Sequence, residues 1–443
     1  MKIMFISLGC DKNLVDTEVM MGHLLRDGYT FTDDEYEAEV IVINSCCFIQ
    51  DAKEESIQTI IDMAQMKTDG KCKALVVAGC LAERYREEIK TEIPEVDGLI
   101  GTASFEKINE VVKKALENNT EISESFEPLT KLARTDTGRV ITTGGWYSYL
   151  KIAEGCDKHC TYCIIPRIRG NYRSVPMEQL INEAEELADK GVKELLLVAQ
   201  ETTLYGMDIY GQKMLPTLLR ELCKVSGIQW IRILYCYPEE ITQELIDVIK
   251  EEPKICHYLD IPIQHADDTV LKHMGRRTNQ EDLRNIIGLL RKEIPDIVLR
   301  TTLISGFPGE TQEQHEELYR FADEMEFDRL GVFAYSPEED TPAAKLPDQI
   351  EDEVKEDRRD ELMELQQEIA FEKAQEKIGN IYEVLIEGKI PDANAYAGRT
   401  YMDAPNVDGL VFVVTDEEIM SGAFVKVRIT GAQEYDLIGE IAE

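Results

Sequence analysis

The chain's 443 residues include 86 Asp and Glu against 48 Lys and Arg, for a formal net charge of −38. Binding a phosphate backbone draws on Lys and Arg, so this balance disfavours a nucleic-acid partner and favours a basic protein, the plainer alternative being acid that only solubilises the surface. The length suggests about two or three domains, no run approaches the ~18 apolar residues of a membrane span, and the eleven cysteines, with no secretory leader, favour metal ligation in a reducing cytoplasm over disulfides.

The start MKIMFISLGC is apolar but short and lacks a small-residue cleavage site, so it predicts a first strand rather than a signal peptide. Across residues 1–120, short β-rich runs (KIMFISL, EVIVIN, KALVVAG, VDGLIGT) alternate with helical stretches, which predicts an open parallel sheet flanked by helices. A cysteine follows each of the first three strands: Cys10, Cys46 and Cys80. Ligands of such sheets sit outside the carboxyl ends of the strands, where these three thiols would converge as a metal or cluster site. A single Cys there would read as a small buried hydrophobe; three equivalent ones are harder to explain by packing. Cys47 should point to the opposite side of an extended backbone. Cys72 lies at the wrong end of its strand, and Cys223, Cys236 and Cys256 have no grouped spacing and read as packing residues.

Residues 121–145 are polar and read as a linker. Residues 146–345 carry six βα units, beginning with WYSYLKIAEGC and followed by KELLLVAQE, QWIRILYCYP, HYLDIPIQH, IVLRTTLISGFPGE and RLGVFAYSP. Six such units predict a partial, open (β/α)6 barrel with its chemistry at the carboxyl ends of the strands. The first unit ends in GCDKHCTYCIIP, where Cys156, Cys160 and Cys163 stand in a C-x3-C-x2-C spacing. Three thiolates fill three corners of a four-iron cluster and leave one iron open; zinc would want a fourth local ligand, and only His159 is near. With Tyr162 before the last cysteine, the motif resembles the signature of radical S-adenosylmethionine enzymes. That resemblance implies a cofactor chelated at the open iron and cleaved by one electron to give a hydrogen-abstracting radical. Cofactor-rim candidates at the other strand ends are Gln200, Glu201, Thr202, Gln264, His265, Arg300, Ser305 and Gly306, the last opening a GFPG turn that ends at Gly309. Arg232 joins them because an Arg on an apolar strand is rarely buried without an anion. Each of these could instead be a satisfied polar group of the barrel rim.

In residues 346–377, Val354, Leu362, Leu365, Ile369 and Phe371 suggest an amphipathic connecting helix. Residues 378–443 break into five short β segments with glycine turns, which predicts a small five-stranded antiparallel barrel. Four Lys and Arg against twelve Asp and Glu make this segment acidic as well.

Taken over its whole length, the chain resembles the radical S-adenosylmethionine methylthiotransferase family, and its barrel is similar to a TRAM domain. SLGCDKNLVDTE, LKIAEGCDKHCTYCIIPRIRGNYRS, IRILYCYPEEI and RTTLISGFPGET resemble the ribosomal-protein branch, with Asp11 where Pro is usual and Cys47 where Gly is usual. The resemblance implies addition of a methylthio group to the β-carbon of an aspartate in the twelfth small-subunit ribosomal protein. It also implies two [4Fe-4S] clusters, S-adenosylmethionine as methyl donor and radical source, and an electron donor such as flavodoxin or ferredoxin. A transfer-RNA (isopentenyladenosine) methylthiotransferase would share every cysteine but is disfavoured by the charge. A non-catalytic iron–sulfur carrier would need the clusters and no rim.

Overall fold

The computed structural model describes residues 1–117, 121–131 and 138–442. Its N-terminal sheet is all parallel, in the order β2 (Thr30–Phe31), β1 (Lys2–Ser7), β3 (Val40–Ser45), β4 (Ala74–Gly79), β5 (Gly98–Ile100), β6 (Ser123–Ser125). Every residue of β3 and β4 is buried, as expected of parallel strands covered on both faces. Their side chains alternate between two cores: Ile41, Ile43, Leu75 and Val77 on one side, Val40, Val42, Ala74 and Val76 on the other. The four expected strands are joined by two that no apolar run announces. One of these, β6, falls in the stretch expected to be linker. Its sequence is Ser-Glu-Ser, and it is held by pairing to β5, through bonds such as Gly101 N–H to Ser125 O at 3.0 Å, and by Glu124, which pairs with Arg86 and with Lys90 at 2.7 Å. Residues 118–120 and 132–137, on either side of it, lie outside the described residues. At the linker's end Arg139 is buried, ion-paired to Glu18 (3.3 Å) and Glu183 (3.2 Å).

The central domain holds a second parallel sheet with the six expected strands, open at both edges: β7 (Tyr147–Lys151), β10 (Glu194–Val198), β11 (Trp230–Ile233), β12 (Ile255–Asp260), β13 (Val298–Ser305) and β14 (Arg329–Ala334), neighbours in that order. A small antiparallel pair, β8 (Ala153–Glu154) and β9 (Arg173–Ser174), brackets the cysteine loop. Alternate residues of the large sheet again divide. Leu195, Leu197, Ile231, Ile233, Leu259 and Leu299 pack among the flanking helices. Tyr149, Leu196, Val198, Trp230, Tyr258 and Val298 belong to a core shared with the C-terminal barrel, whose Val384, Leu385, Tyr396 and Met402 complete it.

That barrel closes in the order β15 (Ile381–Lys389), β16 (Ala395–Arg399), β17 (Val411–Val414), β19 (Asp436–Ile441), β18 (Phe424–Gln433). Four seams are antiparallel, as expected, but β17 and β19 run parallel. An odd number of strands in a closed ring cannot alternate direction all the way round, so at least one parallel seam is a geometric necessity. The helix Asp352–Gln375 buries Leu362, Leu365 and Ile369, whereas Val354 (39 % exposed) and Phe371 (46 % exposed) face solvent. Two residues beyond Ile369, Phe371 lies about 200° round the helix. Among the described residues, no helix is long and apolar enough to cross a membrane.

The seam between barrel and sheet corrects two cofactor-rim assignments. Arg232 is fully buried and bonds Glu194 Oε1 at 2.8 Å and the Tyr401 carbonyl at 2.6 Å, while Arg399 takes the other oxygen of Glu194 at 2.7 Å. Arg300 pairs with Asp260 (3.0 Å) and with Asp408 of the barrel (3.5 Å). The anions that satisfy both arginines are therefore carboxylates of the chain itself. Glu194→Gln would leave two guanidinium groups buried around a neutral amide, and breaking such a network costs about 3–5 kcal/mol. Chemical denaturation should show that loss as a lowered midpoint; an unchanged midpoint would remove the seam as a source of stability.

Candidate functional site

The turns that follow β1, β3 and β4 bring Cys10, Cys46 and Cys80 together at the carboxyl edge of the N-terminal sheet. Cys10 is the N-cap of the helix Asp11–Arg26, and Cys80 opens the helix Cys80–Arg84. Gly9 has φ +88°, and a side chain there would meet Cys46 Cβ at 2.7 Å and Sγ at 2.8 Å, so the Cys10 turn lies directly against the second thiol. Ser56 fixes the Cys46 backbone from both sides, accepting from its N–H and donating to its carbonyl, each at 2.9 Å. Asn13 ties the strand ends by donating to Leu8 O (2.9 Å) and Ser45 O (3.1 Å), and its Oδ1 stands 3.9 Å from Cys80 Sγ. Burial pushes the Cys46 and Cys80 thiols up, and the neighbouring thiols add to the effect. Cys47 is fully buried in the core with Leu81, its thiol pushed up to about 12 by burial.

Cys156, Cys160 and Cys163 occupy the loop between β8 and β9. The loop is pinned by backbone bonds from Cys156 N–H to Gly170 O (3.1 Å), Thr161 N–H to Met274 O (2.9 Å) and Cys163 N–H to Cys160 O (3.0 Å). The Lys158 N–H points at Cys156 Sγ (3.5 Å). Tyr162 packs against the small core of Val270, Met274, Phe307, Tyr335 and Ala343, which anchors the loop. Burial pushes the Cys156 thiol up to about 12 and Cys163 higher, with Cys160 beside each adding to the rise. A thiol so buried ionises only beside compensating positive charge, which iron supplies. Both trios therefore fit three-thiolate iron–sulfur ligation. Among the described residues, no three His, Cys, Asp or Glu side chains converge as they would on a single ion; the corners of an iron–sulfur cube hold thiolates farther apart.

Around the central loop, buried polar atoms without partners accumulate, among them Gln200 Oε1, Glu201 Oε2, Tyr172 Oη and Arg276 Nε. Such atoms are expensive unless a ligand completes them, so this neighbourhood fits a polar cofactor. Gln200 is held by its donation to Glu154 Oε1 at 3.1 Å. Glu201 takes the Thr203 N–H on one oxygen (2.8 Å), and its other oxygen stands 3.7 Å from Lys158 Nζ. Gln264 sits in the left-handed region (φ 71°) with its backbone bonded to Thr302 O and Ile304 N. His265 accepts from the Asp267 N–H at 3.0 Å, and its other nitrogen lies 3.6 Å from Glu310.

Three other rim candidates prove to be structural. The Thr202 hydroxyl is spent on the Leu234 and Tyr235 carbonyls (2.8 and 3.1 Å), and that of Ser305 on Lys355 O (2.9 Å). Gly306 (φ +69°) lies against Lys355, with no room for a side chain, so the close approach it permits is that of the helix Asp352–Gln375.

Several residues escaped the sequence reading. Tyr237 puts its hydroxyl 3.6 Å from Cys160 Sγ and its ring under Arg276 (4.3 Å) and Lys158 (4.8 Å). Lys158 also bridges Glu239 and Glu240. Arg169, fully buried, reaches Cys80 Sγ at 3.6 Å. Lys158 lies within the cysteine motif and Arg169 six residues beyond it, and both could have been found as charges in an otherwise tight loop; nothing local marks Tyr237 or Arg276.

Comparison with known proteins follows the same division. Residues 2–101 match the uncharacterized protein family UPF0004, residues 150–322 the radical SAM superfamily, and residues 378–442 the TRAM domain. The radical S-adenosylmethionine methyltransferase TsrM from Kitasatospora setae, solved with cobalamin and a [4Fe-4S] cluster bound, is similar in fold, with a TM-score of 0.56 and 14 % identity over 92 % of this chain and 82 % of that one. Fold and site together define a radical S-adenosylmethionine protein with an added N-terminal α/β domain and a terminal barrel. Two proteins described as ribosomal protein uS12 methylthiotransferase RimO are similar over nearly their full lengths. That of Lachnoclostridium phytofermentans is 64 % identical and covers 99 % of both chains; that of Clostridioides difficile is 52 % identical and covers 100 % of this chain and 99 % of its own. The chain belongs to the RimO family of ribosomal protein uS12 methylthiotransferases.

Burial carries the Glu201 carboxyl from 4.5 up to about 7. Its folded pKa is raised, so its contribution to stability is complete below pH 4.5 and is lost as pH rises through about 7, a difference on the order of 3 kcal/mol. Glu201→Gln is neutral throughout. Relative to the parent, its denaturation midpoint should be higher at pH 8 than at pH 4, and an equal offset at both values would contradict the buried proton.

Proposed function

We propose that this chain is an enzyme that adds a methylthio group to the β-carbon of an aspartate in ribosomal protein uS12. The observation that carries this reading is the pairing of two three-cysteine sites, one at the strand ends of residues 1–120 and one in the loop of the 146–345 domain, across a single buried seam. In this reading Cys156, Cys160 and Cys163 hold a [4Fe-4S] cluster that binds S-adenosylmethionine, and Cys10, Cys46 and Cys80 hold a second. When bound, these groups supply hydrogen abstraction from an unactivated carbon and the methylthio group itself, chemistry that no side chain provides.

The chain's own residues prepare the place. Gln200 presents an unpaired oxygen beside the central loop, and Glu201 one without a hydrogen bond that stands 3.7 Å from Lys158, both suited to the amine and hydroxyl donors of the cofactor. Tyr237, Arg276 and Lys158 cover Cys160 and limit the access of water. Electrons would come from a small carrier such as flavodoxin or ferredoxin, in the cytoplasm. The acidic 378–443 barrel, held on the far face of the sheet, adds to a negative surface that suits a basic ribosomal protein and not transfer RNA.

Two measurements test this. Replacing Cys156, Cys160 and Cys163 by Ala should leave about half of the iron of the reconstituted protein and abolish cofactor cleavage. Replacing Cys10, Cys46 and Cys80 should also leave about half, three of the six proposed cluster ligands being lost in either case, while sparing cleavage. Full iron in the second variant would remove the N-terminal cluster. Mass spectrometry of uS12 from a strain lacking this chain should show loss of the methylthio group, restored by the parent gene but not by Cys46→Ala; an unchanged uS12 would overturn the substrate.

A further inference from the structure

Between the two cysteine sites lies a buried group of charges. Arg169 donates through Nη1 to Asp16 (2.8 Å) and Glu154 (3.1 Å), and through Nη2 to Asn13 Oδ1 and toward Cys80 Sγ at 3.6 Å. Lys151 joins the same two carboxylates. Two cations thus meet two anions with almost no solvent contact. Asn13 and Asp16 belong to the N-terminal domain; Lys151, Glu154 and Arg169 belong to the central one.

The segment that delivers Arg169 starts at the central cysteines. Ile164 and Ile168, just beyond Cys163, are buried in the core of the N-terminal domain with Leu81 and Val77, and the Thr102 hydroxyl holds the Ile168 carbonyl at 2.6 Å. A six-residue step from Cys163 therefore crosses the domain boundary and ends at the third N-terminal thiol. On the other side, Glu154 stands two residues before Cys156 and receives Gln200 at 3.1 Å. Arg169 thus carries a buried positive charge to the N-terminal thiols, at Cys80 Sγ.

We propose that Arg169 is a positioning residue of the reaction. It hydrogen-bonds the Cys80 thiolate of the N-terminal cluster and thereby fixes that cluster against the central one and raises its reduction potential. This rests on the reading that Cys10, Cys46 and Cys80 hold a cluster. A hydrogen bond from a cation to a ligand sulfur stabilises the reduced, more negative state, and cluster potentials follow such bonds and the local net charge. Removing the guanidinium would also leave Asp16 and Glu154 facing Lys151 alone, one negative charge in excess beside the cluster.

The test is a redox titration of the full-length, two-cluster protein followed by electron paramagnetic resonance, with S-adenosylmethionine added to shift, and so identify, the central cluster's signal. In Arg169→Gln the equilibrium constant for reducing the other cluster should fall about tenfold, ~59 mV for one electron, while the central potential holds. Arg169→Lys keeps the charge but not the planar fork and should recover part of the shift. If the Gln variant loses the N-terminal iron while the Lys variant keeps it, the need for the cation is supported directly. Loss of that iron in both variants, or an unchanged potential in a fully loaded Gln variant, overturns the inference. A parent protein that never assembles a second cluster defeats the underlying reading instead, and the iron count of the unmutated chain separates that case.

Discussion

Of the six thiols that stand in two groups here, Cys46, Cys80 and Cys156 are buried, and burial alone opposes their ionisation. Among the described residues, the donors around the thiols include backbone N–H groups of Cys47 and Phe48 at Cys46, of Lys158 at Cys156 and of Ile165 at Cys163, with Tyr237 and Arg276 at Cys160 and Arg169 at Cys80. Of these, Arg276 and Arg169 bring positive charge, less than six thiolates would require, and the shortfall makes sense if iron carries the balancing charge. The rest of the architecture serves to hold the sulfurs in place without it. Gly9 lets two N-terminal turns touch, Asn13 ties two strand ends, and backbone bonds to the Gly170 and Met274 carbonyls clamp the central loop.

The same economy governs the far side of the large sheet. An open parallel sheet needs both faces covered, and here helices cover one while the C-terminal barrel covers the other. Glu194, Arg232 and Arg399 sit within that second interface, fully buried. The barrel is therefore part of the sheet's stability as well as a carrier of charge.

How much of this was legible depended on the distance over which each residue's role is decided. The apolar runs that became β1, β3, β4 and the six strands of the central sheet declare themselves locally, and so do cysteines at strand ends, because the carboxyl edge of a parallel sheet is a place that topology defines. Strand-end position alone did not distinguish a ligand from a staple. Thr202 and Ser305 spend their hydroxyls on carbonyls of neighbouring segments, and Gly306 makes room for a lysine. Arg232 was expected to need an anion, and Arg300 takes anions too, but they come from Glu194 and from Asp260 and Asp408, the last more than a hundred residues from Arg300. β6 has no apolar signal because an edge strand of three polar residues is defined only by its partner.

The net charge of the composition carries over almost unchanged to the surface. Among the described residues, the buried charged side chains comprise ten Lys and Arg (such as Arg139, Lys158 and Arg358) and nine Asp and Glu (such as Glu18, Glu201 and Glu310). The interior is thus close to neutral, as low polarity demands, and the whole excess of −38 lies on the outside. Cations that a composition count credits to the surface are instead consumed in holding domains together. A phosphate backbone approaching this protein meets fewer free Lys and Arg than the sequence suggests. A basic polypeptide meets a potential that steers it from a distance and weakens with salt. Surface charge and seams are in this way separable: each arginine buried between domains takes a carboxylate with it, so the seams hold the fold together while the acidic exterior stays free to attract a cationic partner.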